Sequence, residues 1–141
     1  MQDIASATPS PLARVLVVDD DELDRFVIRR SFNALESPIE LIEIADSRQA
    51  VNAITTHEPN VTLLDIQMPN MSGFDVLDAL GKLEADQDKV RHVVMLSSSS
   101  QQEDRRRALA LGATDYRAKP STLSDYVKLV EDIRAAYLQP S

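Results

Sequence analysis

The stretch "VTLLDIQMPNMSG" (Val61–Gly73) runs four residues suited to a buried strand into a carboxylate, and then into a proline-containing loop. Stripping water from an unpaired carboxylate costs several kcal/mol or more, so Asp65 either caps the turn that follows or does chemistry. Working outward, further strand-length apolar runs appear: "RVLVVD" (Arg14–Asp19), "IELIEI" (Ile39–Ile44), "HVVMLS" (His92–Ser97) and "TDYRA" (Thr114–Ala118). Segments with helical spacing lie between them, such as Leu23, Phe26, Val27 and Arg30, or Val76, Leu77, Leu80 and Leu83. A closing helix is expected over Ser121–Leu138, through Leu123, Val127, Val130, Ile133 and Tyr137. Capping-box spacing marks helix starts at Ser72 with Asp75, Ser100 with Glu103 and Thr122 with Asp125. Gly112, after "RALAL", suits a left-handed helix terminus. Strands joined by helices must form a largely parallel sheet covered on both faces, because each crossover is right-handed and needs a helix to return. The more polar second and fifth runs fit its edges.

Composition narrows the function classes. A chain of 141 residues is about one domain, expected here over residues 14–138 between a lead-in at 1–13 and a tail at 139–141. With no cysteine, disulfides, thiolate metal sites and thiol nucleophiles are excluded. A net charge of −8 argues against direct nucleic-acid binding, which needs a clustered basic surface. No apolar run approaches the roughly 20 residues of a membrane span, and "MQDIASATPSPLA" lacks the basic start and apolar core of a signal peptide. A soluble cytoplasmic protein is the expectation.

In open parallel sheets, functional groups gather beyond the carboxyl ends of the strands. Collecting the residues at those ends gives Asp19, Asp20, Asp65, Ser97 and Lys119. Clustered carboxylates repel one another unless something positive sits among them, and an oxygen-only donor set suits Mg²⁺. Beside such a cation an aspartate can attack a phosphoryl group, while a lysine and a hydroxyl hold the phosphoryl oxygens.

The segments "VLVVDDDELDR", "LLDIQMPNMSGFDVL", "VVMLSSSS" and "GATDYRAKP" closely resemble the motifs of bacterial response-regulator receiver domains, from about Arg14 to Leu138. The resemblance implies a flavodoxin-like, doubly wound (βα)5 fold with strand order 2-1-3-4-5. It implies that Asp65 is the phosphoacceptor, that Asp20 binds Mg²⁺ directly, that Asp19 acts mainly through water, and that Gln67 offers its backbone carbonyl to the metal. Ser97 would be the switch hydroxyl, Lys119 the phosphoryl-binding cation, and Tyr116 the switch aromatic whose ring turns inward when Ser97 is drawn to the phosphate. Pro69 and Gly73 match the turn after the acceptor, and the bond before Pro120 is open to the cis form. The implied donors are a sensor or hybrid histidine kinase or a histidine phosphotransfer protein. The implied output is contact with a downstream protein through the fourth helix, fifth strand and fifth helix, or a phosphorylation-dependent homodimer. As nothing follows Ser141, a stand-alone regulator is expected, a signalling phosphoacceptor rather than an enzyme.

Each residue also has a plain structural reading. "DDDELD" complements a helix dipole, Asp65 can cap a turn, "SSSS" suits an N-cap, and Lys119 would be a loop lysine. The weight lies in four motifs falling in order at the right strand ends. His57 and His92 read as surface or strand-edge residues, and "RRR" (Arg105–Arg107) as a solvated face or a partner contact. Serine at 97, where the family often has threonine, lacks the methyl that stiffens the rotamer. Gln67 and Ser99 stand where receivers tune access of water, and "LEADQDKVRH" lengthens the link into the fourth strand. Two other readings stay open: a constitutive adaptor or dimerisation module independent of phosphorylation, and a haloacid-dehalogenase-like phosphatase. The second needs an acid two positions after its nucleophile, where this chain has Gln67.

Overall fold

Strands and helices alternate in the computed structural model, which describes residues 12–83, 91–98 and 101–138. β1 (Ala13–Val18), β2 (Ile39–Ile44), β3 (Val61–Asp65), β4 (Val93–Ser97) and β5 (Asp115–Ala118) are each followed by a helix. These are α1 (Glu22–Asn33), α2 (Ala50–His57), α3 (Gly73–Leu83), α4 (Gln102–Ala110) and α5 (Leu123–Tyr137), with a 3-10 turn at Ser47–Gln49 before α2. All strand pairs are parallel, in the order β2-β1-β3-β4-β5. This is the flavodoxin-like doubly wound arrangement. The lead-in up to residue 11, the Ser100 cap, Ser99, residues 84–90 of the long link and the tail at 139–141 lie outside the described residues.

The sheet order follows from composition. β3 and β4 are buried along their whole length and β1 along most of its own, whereas β2 and β5 carry partly exposed positions, as their polar residues require of edges. Side chains alternate across the sheet, giving two apolar layers. Leu16, Val18, Leu64 and Met95 face α2, α3 and α4, while Val15, Val17, Leu63 and Leu96 face α1 and α5.

Helix ends use the expected chemistry. Ser72 and Asp75 form a reciprocal capping box, each side chain accepting the other's backbone N–H, at 3.0 and 3.2 Å. Thr122 Oγ1 accepts the Asp125 N–H at 3.1 Å. Gly112 has φ of +106°, a left-handed position that a side chain would strain. The Lys119–Pro120 bond is trans, as are all peptide bonds among the described residues.

Two helix faces differ from the spacing read in the sequence. On α1 the buried residues are Ile28, Ser31 and Phe32, while Leu23 is 66% and Phe26 44% exposed. The guanidinium groups of Arg29 and Arg30 lie 5.6 and 5.9 Å from the centre of the Phe26 ring, which shields that side chain with cations instead of core. On α5 the buried stripe is Tyr126, Leu129, Val130 and Ile133, and Leu123 faces outward. "RRR" is not merely a solvated face. Arg105 donates to the Tyr116 carbonyl of β5 at 3.0 Å, Arg106 pairs with Glu103, and Arg107 stacks 4.2 Å from the Phe74 ring centre of α3. The Arg105 and Arg107 contacts fasten α4 to β5 and α3, whereas the Arg106–Glu103 pair lies within α4 itself.

Candidate functional site

Parallel pairing brings the carboxyl ends of β1, β3, β4 and β5 to one edge of the sheet. Asp19 follows β1 directly, Asp65 ends β3, Ser97 ends β4, and Lys119 follows β5. The Lys119 N–H donates to the Ser97 carbonyl at 2.7 Å, so the last two ends are tied together. Four of the five residues collected from the strand ends are thus set by backbone pairing alone, and the fifth, Asp20, lies one residue beyond Asp19.

Carboxylate oxygens of Asp19, Asp20 and Asp65 all lie within 4.8 Å of one another. Oxygens around an octahedral Mg²⁺ with bonds of about 2.1 Å lie roughly 3–4 Å apart, so a modest contraction would bring these three to such an ion. A second observation points the same way. Asp19 is only 2% exposed, and its Oδ2 has no hydrogen-bond partner, although Lys119 Nζ lies 3.1 Å away as an ion pair. Its other oxygen accepts the Asp21 N–H at 2.9 Å. A buried carboxylate oxygen without a hydrogen-bond donor can take a bond to a cation, and the cluster fits Mg²⁺ binding.

Burial pushes the Asp19 carboxyl up to about 6, helped by the charge of Asp65 and opposed by the Asp21 N–H and Lys119. Asp65 is also raised by burial, with the Asp20 charge adding to it; Lys119 and the Gln67 N–H act in the opposite direction. Lys119 is itself largely buried. That burial would pull its ammonium down, but the hydrogen bond it donates to Asp24 and the charges of Asp19 and Asp65 outweigh it and raise the group. Lys119 Nζ lies 3.3 Å from Asp65 Oδ1. The site is therefore two desolvated acids, Asp19 and Asp65, held by one ammonium, with Asp20 exposed beside them.

The loop after Asp65 is packed tightly. A Cβ at Gly73 would fall 2.5 Å from the Asp65 carbonyl oxygen and 2.8 Å from the Met95 methyl, so α3 can begin this close to β3 only with glycine there. The Gly73 N–H donates to the Ile66 carbonyl at 2.8 Å. Above the acids opens a cleft of ≈ 530 Å³ whose walls include Asp20, Asp24, Asp65, Gln67, Lys119 and Tyr126. Tyr116 is buried against the α2–α3–α4 side of the core, so its ring is already inward in this structure. His92 is exposed and stacks on Tyr137, and His57 is partly exposed, so neither joins the site.

Two residues that sequence reasoning did not single out belong to this neighbourhood. Ser47 is buried; its hydroxyl donates to the Pro69 carbonyl at 2.9 Å and accepts the Met71 N–H at 3.2 Å, clamping the loop that carries Gln67. Asp24, on the first turn of α1, holds Lys119 Nζ at 2.8 Å, its shortest contact. No local signal marks either one, since their partners are 22 and 95 residues away.

The family model for the response regulator receiver domain matches residues 15–131. The chain is 38% identical over 132 residues to a protein-glutamate methylesterase/protein-glutamine glutaminase from Bordetella avium, covering 87% of this chain and 36% of that one. It thus spans about a third of that relative's length. Among solved structures it resembles the signal receiver domain of the response regulator NarL from Mycobacterium tuberculosis. That match has 31% identity and a TM-score of 0.72, over 91% of this chain and 99% of the other. It also resembles the Mn²⁺-bound form of the response regulator Rcp1, with 26% identity and a TM-score of 0.74, over 92% and 96% of the two chains.

Proposed function

Because the chain belongs to the family of response regulator receiver domains, we propose that it accepts a phosphoryl group on Asp65 and passes the change to a protein partner by surface contact. The observation that carries this reading is the Asp65 carboxylate at a strand end, ion-paired to Lys119 beside two further acids, one of which has an oxygen lacking a donor. An Asp65 carboxylate oxygen would attack the phosphorus of a phosphohistidine on a kinase or phosphotransfer protein. A P–O bond forms, the P–N bond breaks, and the freed imidazole takes up a proton. In a separate hydrolytic step, water attacks the phosphorus, the bond between the Asp65 carboxylate oxygen and phosphorus breaks, and the carboxylate and inorganic phosphate are released.

A Mg²⁺ ion held by Asp19, Asp20, Asp65 and the Gln67 carbonyl would supply the charge that neutralises the phosphoryl oxygens, as the Mn²⁺ form of Rcp1 suggests for the type of site. Lys119 would balance the same charge, and the Ser97 hydroxyl, buried at the end of the strand next to β3, would donate to a phosphoryl oxygen. The new dianion draws Ser97 and Lys119 toward Asp65. Since Tyr116 is already inward, phosphorylation on this reading strengthens that arrangement instead of creating it, and biases the α4–β5–α5 surface by population shift. The reading applies to the receiver unit whether it acts alone or within a longer chain, and the esterase activity named for the Bordetella relative is that protein's. No described helix is long and apolar enough to cross a membrane; a cytoplasmic place beside the phosphodonor is part of the proposal.

Incubation with Mg²⁺ and acetyl phosphate, followed by intact-mass measurement under conditions that keep acyl phosphates, tests the reading. One phosphoryl adduct on the wild type, absent with EDTA, is expected. No adduct, together with no response of the α4 amide resonances to beryllofluoride, would favour the constitutive adaptor.

A further inference from the structure

Lys119 has three N–H donors and sits among three carboxylates, but not symmetrically. Asp24 Oδ2 is the nearest at 2.8 Å, in a hydrogen bond that bridges α1 and the end of β5; Asp19 Oδ2 and Asp65 Oδ1 follow at 3.1 and 3.3 Å. Asp24 has no part in the other tasks of the site. It is outside the three-acid cluster, and α1 is capped by Asp21, whose carboxylate accepts the Leu23 N–H at 2.9 Å. An acid in the first turn of a helix ordinarily needs no more explanation than the helix dipole. Here, however, the side chain is three-quarters buried, lines the cleft and is spent on the lysine.

We propose that Asp24 is a positioning residue that competes with the phosphoryl group for Lys119, so that phosphorylation of Asp65 must draw the lysine away from it. The proposal rests on Asp65 being the phosphoacceptor. A phosphoryl group on Asp65 brings close to two negative charges and three strong acceptors to within reach of Nζ. In the unphosphorylated protein Asp24 already neutralises that ammonium, and its own charge adds to the repulsion a dianion meets on entering a cleft lined by acids. Linkage fixes the sign. Whatever free energy Asp24 contributes to holding Lys119 in the unphosphorylated state is subtracted from the affinity of the site for the phosphoryl group. Asp24 thus biases the switch toward off, and its carboxylate, released on phosphorylation, becomes a free charge at the start of α1.

The test is a beryllofluoride titration of the full chain at saturating Mg²⁺, followed by amide resonances, for the wild type, Asp24→Asn, Asp24→Ser, Asp24→Glu and Asp65→Asn. Asp24→Asn and Asp24→Ser, which remove the charge, are expected to bind about fivefold tighter than the wild type, the scale of a partly exposed charge pair. Asp24→Glu, which keeps the charge, should stay near the wild type. A residue that merely supported α1 would change thermal stability without tightening the affinity. Unchanged or weaker binding by both neutral variants, with wild-type binding intact, would overturn the competition while leaving the phosphoacceptor reading in place. A wild type that does not bind, or an Asp65→Asn variant that binds as well as it, would remove that reading and the proposal with it.

Discussion

Replacing Asp19 by asparagine should make the metal-free protein more stable at neutral pH, while abolishing most of its response to Mg²⁺. The Asp19 carboxyl is held at about 6 against an ordinary value of 3.8, chiefly because it is buried. The folded protein therefore binds this proton more tightly than the unfolded chain. Stability falls as pH rises from about 4 through 6, and the full penalty applies above that range. At about 1.4 kcal/mol for each pH unit between the two values, the ceiling is on the order of 3 kcal/mol. Neutral asparagine escapes it, and Lys119 keeps Asp24 and Asp65 as partners. Mg²⁺ reverses the balance for the wild type because it binds the ionised carboxylate. At a hundredfold excess over Kd it stabilises by about 2.7 kcal/mol, an effect that should fade below about pH 6 as protons compete with metal. Urea denaturation of both proteins at pH 4.5, 6 and 7.5, in EDTA and in Mg²⁺, measures all of this. In EDTA the variant should exceed the wild type by about 1–3 kcal/mol at pH 7.5, and the gap should shrink to about a third of that by pH 4.5. An Asp19→Asn protein no more stable than the wild type at pH 7.5, or a Mg²⁺ effect equal at every pH, would refute the reasoning.

Other substitutions probe the supports of the site. Gly73→Ala forces a methyl to within 2.5 Å of the Asp65 carbonyl oxygen; it should cost about 1–3 kcal/mol in urea denaturation and slow labelling by acetyl phosphate, and wild-type behaviour in both would show that the loop yields freely. Ser47→Ala removes the clamp on Pro69 and Met71, so about 1–2 kcal/mol of stability should be lost. Mn²⁺ affinity, followed by electron paramagnetic resonance, should fall with it, because the Gln67 loop loosens. Arg107→Ala deletes the stack on Phe74; the expected loss is about 0.5–1 kcal/mol, with faster hydrogen exchange in α4 and unchanged metal binding.

Much of this molecule can be read from short-range patterns, and the misses have a common cause. Val61–Asp65 and the other strands announce themselves as apolar runs, and β2 and β5 as edges by their polar positions, so the parallel sheet and the meeting of Asp19, Asp20, Asp65, Ser97 and Lys119 follow from connection rules. The face of α1 does not, because apolar residues occur on both sides of that helix. Ile28 and Phe32 win the core over Leu23 and Phe26 only because α5 packs beside them. Ser31, a polar residue on the buried side, is accommodated by donating to the Val27 carbonyl at 2.7 Å. Asp24 was hidden among the acids of "DDDELD", where nothing local separates it from Asp21 or Glu22; the fold alone carries it to Lys119. Ser47 likewise reads as a turn residue beside Asp46, yet Asp46 makes the cap by accepting the Arg48 N–H, leaving Ser47 free to face inward.

The central claim is that one carboxylate, Asp65, carries the phosphoryl group. Borohydride reduction of the acetyl phosphate-treated protein converts an acyl phosphate on aspartate to homoserine, which peptide mass mapping then locates. Homoserine at position 65 alone, and none in an Asp65→Asn control or in EDTA, is the predicted result. Homoserine at Asp19, Asp20 or Asp24, or equal labelling of the control, would contradict it.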